Sequence, residues 1–459
     1  MIKKLLKNNI LLSGSSFISL VINIISIPVI SRIYTPENIG LFASLQIICM
    51  IFFPLLSLRM EVIFGQKIKN LDIKTLFSTV SIFGFLIGFF LFATLLLGAS
   101  FFNTEIILRY FVLIFLLSFF LVYFEFGIGI LNRLRFYKHI AVFSAVNILF
   151  QRGLQIILGL TIEDKVLAIF ISYCLSNLIL ILSMFLIIHR KINLFSSVNF
   201  NPNILRKFFN HIFYRVIYTL SNLFKDRLLI LLIISFFSAN MAGLYTQSLS
   251  ILLIPVLIFS RPLKTIITRE YVNSKIDTTK MIIIIYDLLI LLLVPFYAFL
   301  FFHSHKIFPV LLGQNWSELS NIFNIMLFPM FILIFSSSLD RMYDVLNIQK
   351  WALFFELFFG ITIFLLLFLF SINGYDFFFA MKVNSIVLSI FFFTFLCFAL
   401  WKSGEIKRFN YTFTLFLIYF ICCGFIFYLL RLSIINSLAF LILFEIAGLL
   451  FFAKKFRSI

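Results

Sequence analysis

The chain has 459 residues, 63% of them apolar and only 12% charged, with a mean hydropathy of +1.14 and a formal net charge of +19. No soluble core disposes of that much apolar surface, so the composition demands lipid as the solvent. The 37 Lys and Arg are dispersed in short clusters rather than gathered on one amphipathic face, which argues against nucleic-acid binding and for loops held on one side of a membrane.

Lys3, Lys4 and Lys7 precede an apolar stretch from Ile10 to Ile33. It is too long for a signal peptide and lacks a small-residue cleavage site, so a retained first helix is expected. Apolar runs of about 20 residues then recur to the end of the chain, and nothing between them is long enough to fold as a soluble domain. About 14 spans are predicted: 10–33, 39–64, 75–98, 106–130, 140–160, 166–188, 209–237, 241–267, 280–302, 321–341, 351–371, 377–400, 411–430 and 434–453. All five cysteines, Cys49, Cys174, Cys397, Cys422 and Cys423, fall inside these runs without metal-ligand spacing, so neither a disulfide nor a zinc site is implied. The 68 Phe read as compositional bias, with rings facing lipid.

With a cytoplasmic N-terminus, the inner loops collect most of the basic residues, among them Lys67, Lys69, Lys74, Arg133, Arg135, Lys138, Arg190, Lys191, Arg206 and Lys207. The outer loops hold little beyond Arg32, Lys165, Lys306 and Arg431, and Glu163 with Asp164 makes one of them acidic. This asymmetry puts both ends inside and supports an even number of helices. The longest outer segment, Phe302 to Ser320, is too short for a periplasmic domain. His303 and His305 within it lack a third metal ligand and read as solvated loop residues.

An internal repeat runs through the chain. Gly40-Leu-Phe42 between spans 1 and 2 answers to Gly243-Leu-Tyr245 between spans 7 and 8; Pro54 and Arg59 answer to Pro255 and Arg261; Leu131-Asn132 answers to Leu346-Asn347. Matches in one order, at intervals near 200 residues, point to a duplicated six-helix bundle. The expected fold is all-α: a six-helix lobe at 1–200, a second at 201–402, a cavity between them, and two further helices at 403–459. Alternating access by rocking of two halves suits that architecture.

Charges at membrane depth are costly and face protein or water. On the seventh span, Arg215, Asn222 and Asp226 fall within about 40° of one another, flanked by Tyr218 and Thr219, and make a polar stripe fit to line a wet cavity. Lys225 lies at the stripe's edge and Arg227 points away. One reading is an anion site with an embedded carboxylate; the other is a neutralised Lys-Asp-Arg cluster that locks helix packing. Arg59 and Glu61 close the second span as Arg261 and Lys264 close the eighth, in places that suit cargo contact or snorkelling to headgroups. Asp287, Asp340, Arg341 and Glu356 read as structural pairs or anchors. No Walker loop, His-Glu-x-x-His or Gly-x-Ser-x-Gly is present in the sequence, which removes the minimum parts of ATP hydrolysis, zinc proteolysis and esterase chemistry.

Several of these segments carry a resemblance: Ser31-Arg-Ile-Tyr-Thr-Pro-Glu-Asn-Ile-Gly40-Leu-Phe, Ser57-Leu-Arg-Met-Glu61, Leu131-Asn-Arg-Leu-Arg135, and Ala242-Gly-Leu-Tyr245 after an Asp-bearing seventh span. Over most of its length up to Leu400 the chain resembles the Wzx-type O-antigen and polysaccharide-lipid flippases of the multidrug, oligosaccharidyl-lipid and polysaccharide exporter superfamily. The resemblance implies a two-lobed bundle, not an enzyme and without a cofactor. Such a protein turns an undecaprenyl-diphosphate-linked oligosaccharide across the bacterial inner membrane, driven by an ion gradient, with polymerase and chain-length components of the pathway as partners; the two-lobed repeat itself suits a monomer. It implies Asp226 and Glu61 as ion-coupling residues. Arg215, Asn222, Lys225, Arg59, Arg261 and Tyr218 are the expected cargo-binding residues, since a diphosphate wants Arg and Lys while a glycan wants Asn, Tyr, Ser and Thr. A small-molecule antiporter, with an acidic cavity, and a polymerase or ligase of the same pathway, with a long outer segment, are the competing readings.

Overall fold

A computed structural model describes residues 2–65, 73–101, 105–194, 200–260, 263–264, 267, 277–340, 342–346 and 348–403. The elements over these residues are all helical. Eleven helices are long and apolar enough to cross a membrane. A twelfth, Phe209–Phe236, has the length but carries the charges of the seventh predicted span, and its apolar part shrinks to Arg227–Phe236. Twelve of the predicted spans are thereby accounted for; 411–430 and 434–453 lie outside the described residues.

The chain divides into two compact units, Met1–Thr246 and Gln247–Ile459. The first contains α1 (Ile2–Ile33), α2 (Pro36–Ser57), the short α3 (Glu61–Gly65), α4 (Ile73–Phe101), α5 (Glu105–Arg133), α6 (Tyr137–Thr161), α7 (Lys165–Ile192), the short α8 (Pro202–Lys207), α9 (Phe209–Phe236) and the start of α10 (Ala239–Pro255). Helix α5 is its centre, packed against α2, α3, α4, α6 and α7, while α1 lies on α6 and α9 on α2.

Local chemistry sets the helix starts. Thr35 is extended and its hydroxyl accepts from the Asn38 amide at 3.4 Å, Pro36 occupies a first-turn position whose N–H would go unpaired, and Glu37 complements the helix dipole. Asp164 caps α7 in the same way, accepting from the Leu167 amide at 3.1 Å, and also binds the Tyr110 hydroxyl at 2.8 Å and Arg109 at 2.9 Å. Tyr34, fully buried, donates to the Gln155 carbonyl at 2.6 Å and pins the end of α1 to α6. The apolar interior forms two clusters, one around Phe42, Cys49, Ile114 and Phe170, the other around Met60, Phe64, Phe126 and Met184.

The glycines of the repeat meet in space. A Cβ built on Gly40 would run into the carbonyl oxygen of Ala239 and lie 2.7 Å from the Gly243 amide nitrogen, and one built on Gly243 would run into the carbonyl of Pro36. Each glycine thus packs on the residue four positions before the other. That reciprocity is what a two-fold-related helix crossing produces, and it requires bare backbone on both sides.

In the second unit the rest of α10 passes into a π turn at Val256–Ser260, followed by α11 (Asp277–Leu312), α12 (Leu319–Ser338), α13 (Met342–Val345), α14 (Gln349–Ile372) and α15 (Phe377–Ser403). Helix α12 is the most enclosed span and α14 the least. Ser260 donates to the Ile334 carbonyl at 2.7 Å, and Tyr286 lies 2.8 Å from the Ser338 hydroxyl, so polar side chains fasten the π turn and α11 to α12.

The expected outer loop needs correction. Because the run through Phe302 stays apolar, α11 continues to Leu312 and stops at Gly313, whose φ of 100° suits glycine. His303 and His305 are therefore helical rather than solvated loop residues: His303 is buried, and His305 Nδ1 lies 2.6 Å from the Ser320 hydroxyl. Phenylalanine divides between surface and core, with Phe85, Phe89, Phe90, Phe354 and Phe358 exposed and Phe64, Phe126, Phe170 and Phe323 buried.

Candidate functional site

The predicted second span does not run unbroken to 64. Helix α2 ends at Ser57, and Leu58 and Arg59 both take left-handed backbone, at φ 49° and 52°. Non-glycine residues there cost roughly 1–3 kcal/mol each, so the surroundings must hold them. The Ser57 hydroxyl accepts from the Arg59 amide at 3.1 Å, the Met60 amide donates to the Ser57 carbonyl at 3.0 Å, and Met60 is wholly buried. The break has a chemical result. Residues two apart on a helix face opposite ways, whereas here Arg59 Nη1 reaches Glu61 Oε1 at 2.9 Å.

Glu61 is only 8% exposed, and the Arg59 guanidinium is its ion-pair partner. The ion pair is what holds its charge, and the Arg59 guanidinium in turn stands 5.6 Å from the centre of the Phe53 ring. Helix α3 lies directly on α5: a Cβ at Gly129 would come within 2.6 Å of the Glu61 carbonyl oxygen. The Leu131 to Arg135 motif closes α5 just beyond that contact, with Phe136 donating to the Leu131 carbonyl at 2.9 Å.

Two further charges converge on this junction. Arg215 of α9, exposed, attracts Glu61. Glu125 of α5 lies one turn before Gly129, hence on the same helix face, and experiences both Glu61 and Arg59. The fold thus brings Arg59, Glu61 and Arg215 together from two distant parts of the sequence and adds Glu125, which sequence reasoning passed over. A signal for it existed, since Glu125 precedes Leu131-Asn132 by the same six residues as Asp340 precedes Leu346-Asn347.

The other expected residues divide. Tyr218 is 65% exposed and stands on α9 with Tyr214 and Arg215 on open surface, and Thr219 donates to the Arg215 carbonyl at 2.8 Å. Asn222, Lys225 and Asp226 are in α9, but their side chains lie outside the described residues, as does Arg261. Lys264 is ion-paired with Asp340. No group of three or more His, Cys, Asp or Glu is placed to hold a metal among the described residues.

The profile of a family described as "Polysaccharide biosynthesis protein" matches residues 29–321. No curated protein matches the sequence. Among solved structures, the fold is similar to that of "Lipid II flippase MurJ, inward closed conformation", with a TM-score of 0.71 at 16% identity over 98% of this chain and 99% of that one. It is also similar to an inward-facing multidrug resistance MATE family transporter of the MOP superfamily, with a TM-score of 0.57 at 13% identity over 85% and 96% of the two chains. A MOP superfamily transporter from Pyrococcus furiosus gives 0.53 at 14% identity over 87% and 96%.

Proposed function

The chain belongs to the family of polysaccharide biosynthesis proteins, and from that premise we propose that it is a flippase for an undecaprenyl-diphosphate-linked oligosaccharide, the repeat unit of O-antigen or another surface polysaccharide. It turns this cargo from the cytoplasmic to the periplasmic leaflet of the bacterial inner membrane by ion-coupled alternating access of two six-helix lobes, 1–200 and 201–402. Both termini are cytoplasmic, as the Lys and Arg asymmetry favours.

The observation that carries this reading is the cluster of two guanidiniums, Arg59 and Arg215, about the buried Glu61. A diphosphate is a polyvalent acceptor that guanidinium forks match in geometry and charge. Arg59 has one ion-pair partner to exchange for it. Tyr218, Asn222, Lys225 and Arg261 complete the cargo path in this proposal, and Asp226 and Glu61 couple transport to an ion gradient.

Deleting the gene in its host tests the function. Complete single repeat units accumulating on the cytoplasmic leaflet, with surface polysaccharide lost, are the expected result. Units that reach the periplasmic face but stay unpolymerised would replace the flippase with a polymerase.

A further inference from the structure

Helix α6 has two faces. At about 100° per residue, Val142, Leu149, Phe150, Ile157 and Leu160 fall within one arc of about 100°, and all five are exposed, as a lipid face requires. Ser144, Asn147, Gln151, Arg152 and Gln155 fall within an arc of about 140° on the other side, and each is buried or half-buried. The edges of this polar arc are fastened. Arg152 donates from Nε to Asn23 Oδ1 of α1 at 2.9 Å and from Nη1 to Gln155 Oε1 at 2.9 Å, while Asn147 donates to Asn177 Oδ1 of α7 at 3.4 Å. The centre is open: the side chains of Ser144 and Gln151, both half-buried, make no hydrogen bond among the described residues.

Arg152 brings a charge that packing does not need. The Asn147–Asn177 amide pair joins α6 to α7 without one. Helices α1, α6 and α7 contain no Asp or Glu, and no carboxylate pairs with Arg152 among the described residues. An uncompensated cation within a span is costly and marks a polar path. Its two hydrogen bonds go to neutral amide oxygens, and three N–H groups remain on Nη1 and Nη2, the nitrogens that grip an oxyanion in two places. The position selects among oxyanions. Helix α6 starts at Tyr137, directly after the turn that closes α5 beside Glu61, and Arg152 lies roughly 22 Å along it, with roughly 14 Å left to Thr161. A diphosphate held at Arg59 and Arg215 does not extend that far, so the group that meets Arg152 comes from the sugars.

We propose that Ser144, Gln151 and Arg152 form a glycan contact that selects a repeat unit bearing an acidic sugar. The guanidinium takes the sugar carboxylate, and the amide and hydroxyl beside it bond to ring hydroxyls. This deepens the flippase reading and rests on it for the delivery of the glycan to this wall.

The test uses the full-length chain in nanodiscs and three probes: undecaprenyl diphosphate alone, the same lipid carrying a neutral disaccharide, and the same lipid carrying a disaccharide that ends in glucuronic acid. The native chain should bind the acidic probe about tenfold more tightly than the neutral one, as a charge-assisted contact provides. Arg152→Gln should erase that preference and leave binding of the other two probes unchanged. Asn23→Asp, which gives Arg152 an internal counter-charge while keeping its hydrogen bond, should erase it too, so the answer does not depend on one variant folding. Thermal unfolding reports the fold of both. Equal affinity for acidic and neutral probes in the native chain, or a preference that survives in folded variants, overturns the proposal. An equal loss for all three probes in Arg152→Gln overturns it as well, and assigns Arg152 to the diphosphate. Saturation-transfer NMR with the free acidic disaccharide separates this outcome from the flippase reading. Contact seen in the native chain and lost in both variants, when no lipid-linked probe binds, keeps the sugar site and removes the lipid-linked cargo; no contact with any probe overturns both.

Discussion

At the scale of the residue, Arg59 and Glu61 are mutually dependent. Arg59→Ala leaves a buried carboxylate without its counter-charge, a loss on the order of 3 kcal/mol when one partner of a buried pair is removed. Thermal unfolding in detergent should show a clear fall in midpoint for Arg59→Ala and recovery in Arg59→Ala/Glu61→Gln. No recovery in the double variant would mean that Arg59 acts through its contact with Phe53 instead. Arg215 is exposed and should behave differently. Arg215→Ala is expected to leave the unfolding midpoint unchanged while weakening binding of undecaprenyl diphosphate about tenfold or more, the loss of a charge-assisted contact worth roughly 1.5–3 kcal/mol. Equal binding by both proteins, measured calorimetrically in nanodiscs, removes Arg215 from the cargo path. In the same scheme Asp226→Asn should abolish ion-coupled transport, and normal surface polysaccharide in cells expressing that variant at native level would remove Asp226 from the coupling set.

At the scale of the element, the crossing of α2 and α10 depends on Gly40 and Gly243 having no side chains. Either glycine changed to alanine puts a methyl group against a carbonyl oxygen of the opposite helix, and backbone cannot rotate away as a flexible side chain can. The helix ends must separate. With the native cysteines replaced and new ones at Glu37 and Asn240, the disulfide yield should drop several-fold in Gly40→Ala and Gly243→Ala; an unchanged yield in both would show that the crossing is not tight. The sequence already marked these glycines as equivalent. It did not mark them as touching, because a 203-residue interval carries no distance until the chain folds back on itself.

At the scale of the whole molecule, the charge asymmetry predicts that a fluorescent protein fused after Ile459 folds and fluoresces while alkaline phosphatase fused there stays inactive. The opposite pair of results would invert the proposed orientation. Most of the helices were legible in the sequence, since an apolar run of about 20 residues has few other fates. The boundaries at Arg59 and His303 were not, because a left-handed break held by Ser57 and a helix prolonged to Gly313 are decided by local contacts rather than by hydropathy. The sequence by itself determined the solvent of this protein and its helical class, both of which follow from composition and period. Only the tertiary structure decided which charges are neighbours. Glu125 joins Glu61, Arg59 and Arg215 through packing of α3 and α9 around α2 and α5, and electrostatic neighbourhood depends on distance in space, which sequence separation does not measure.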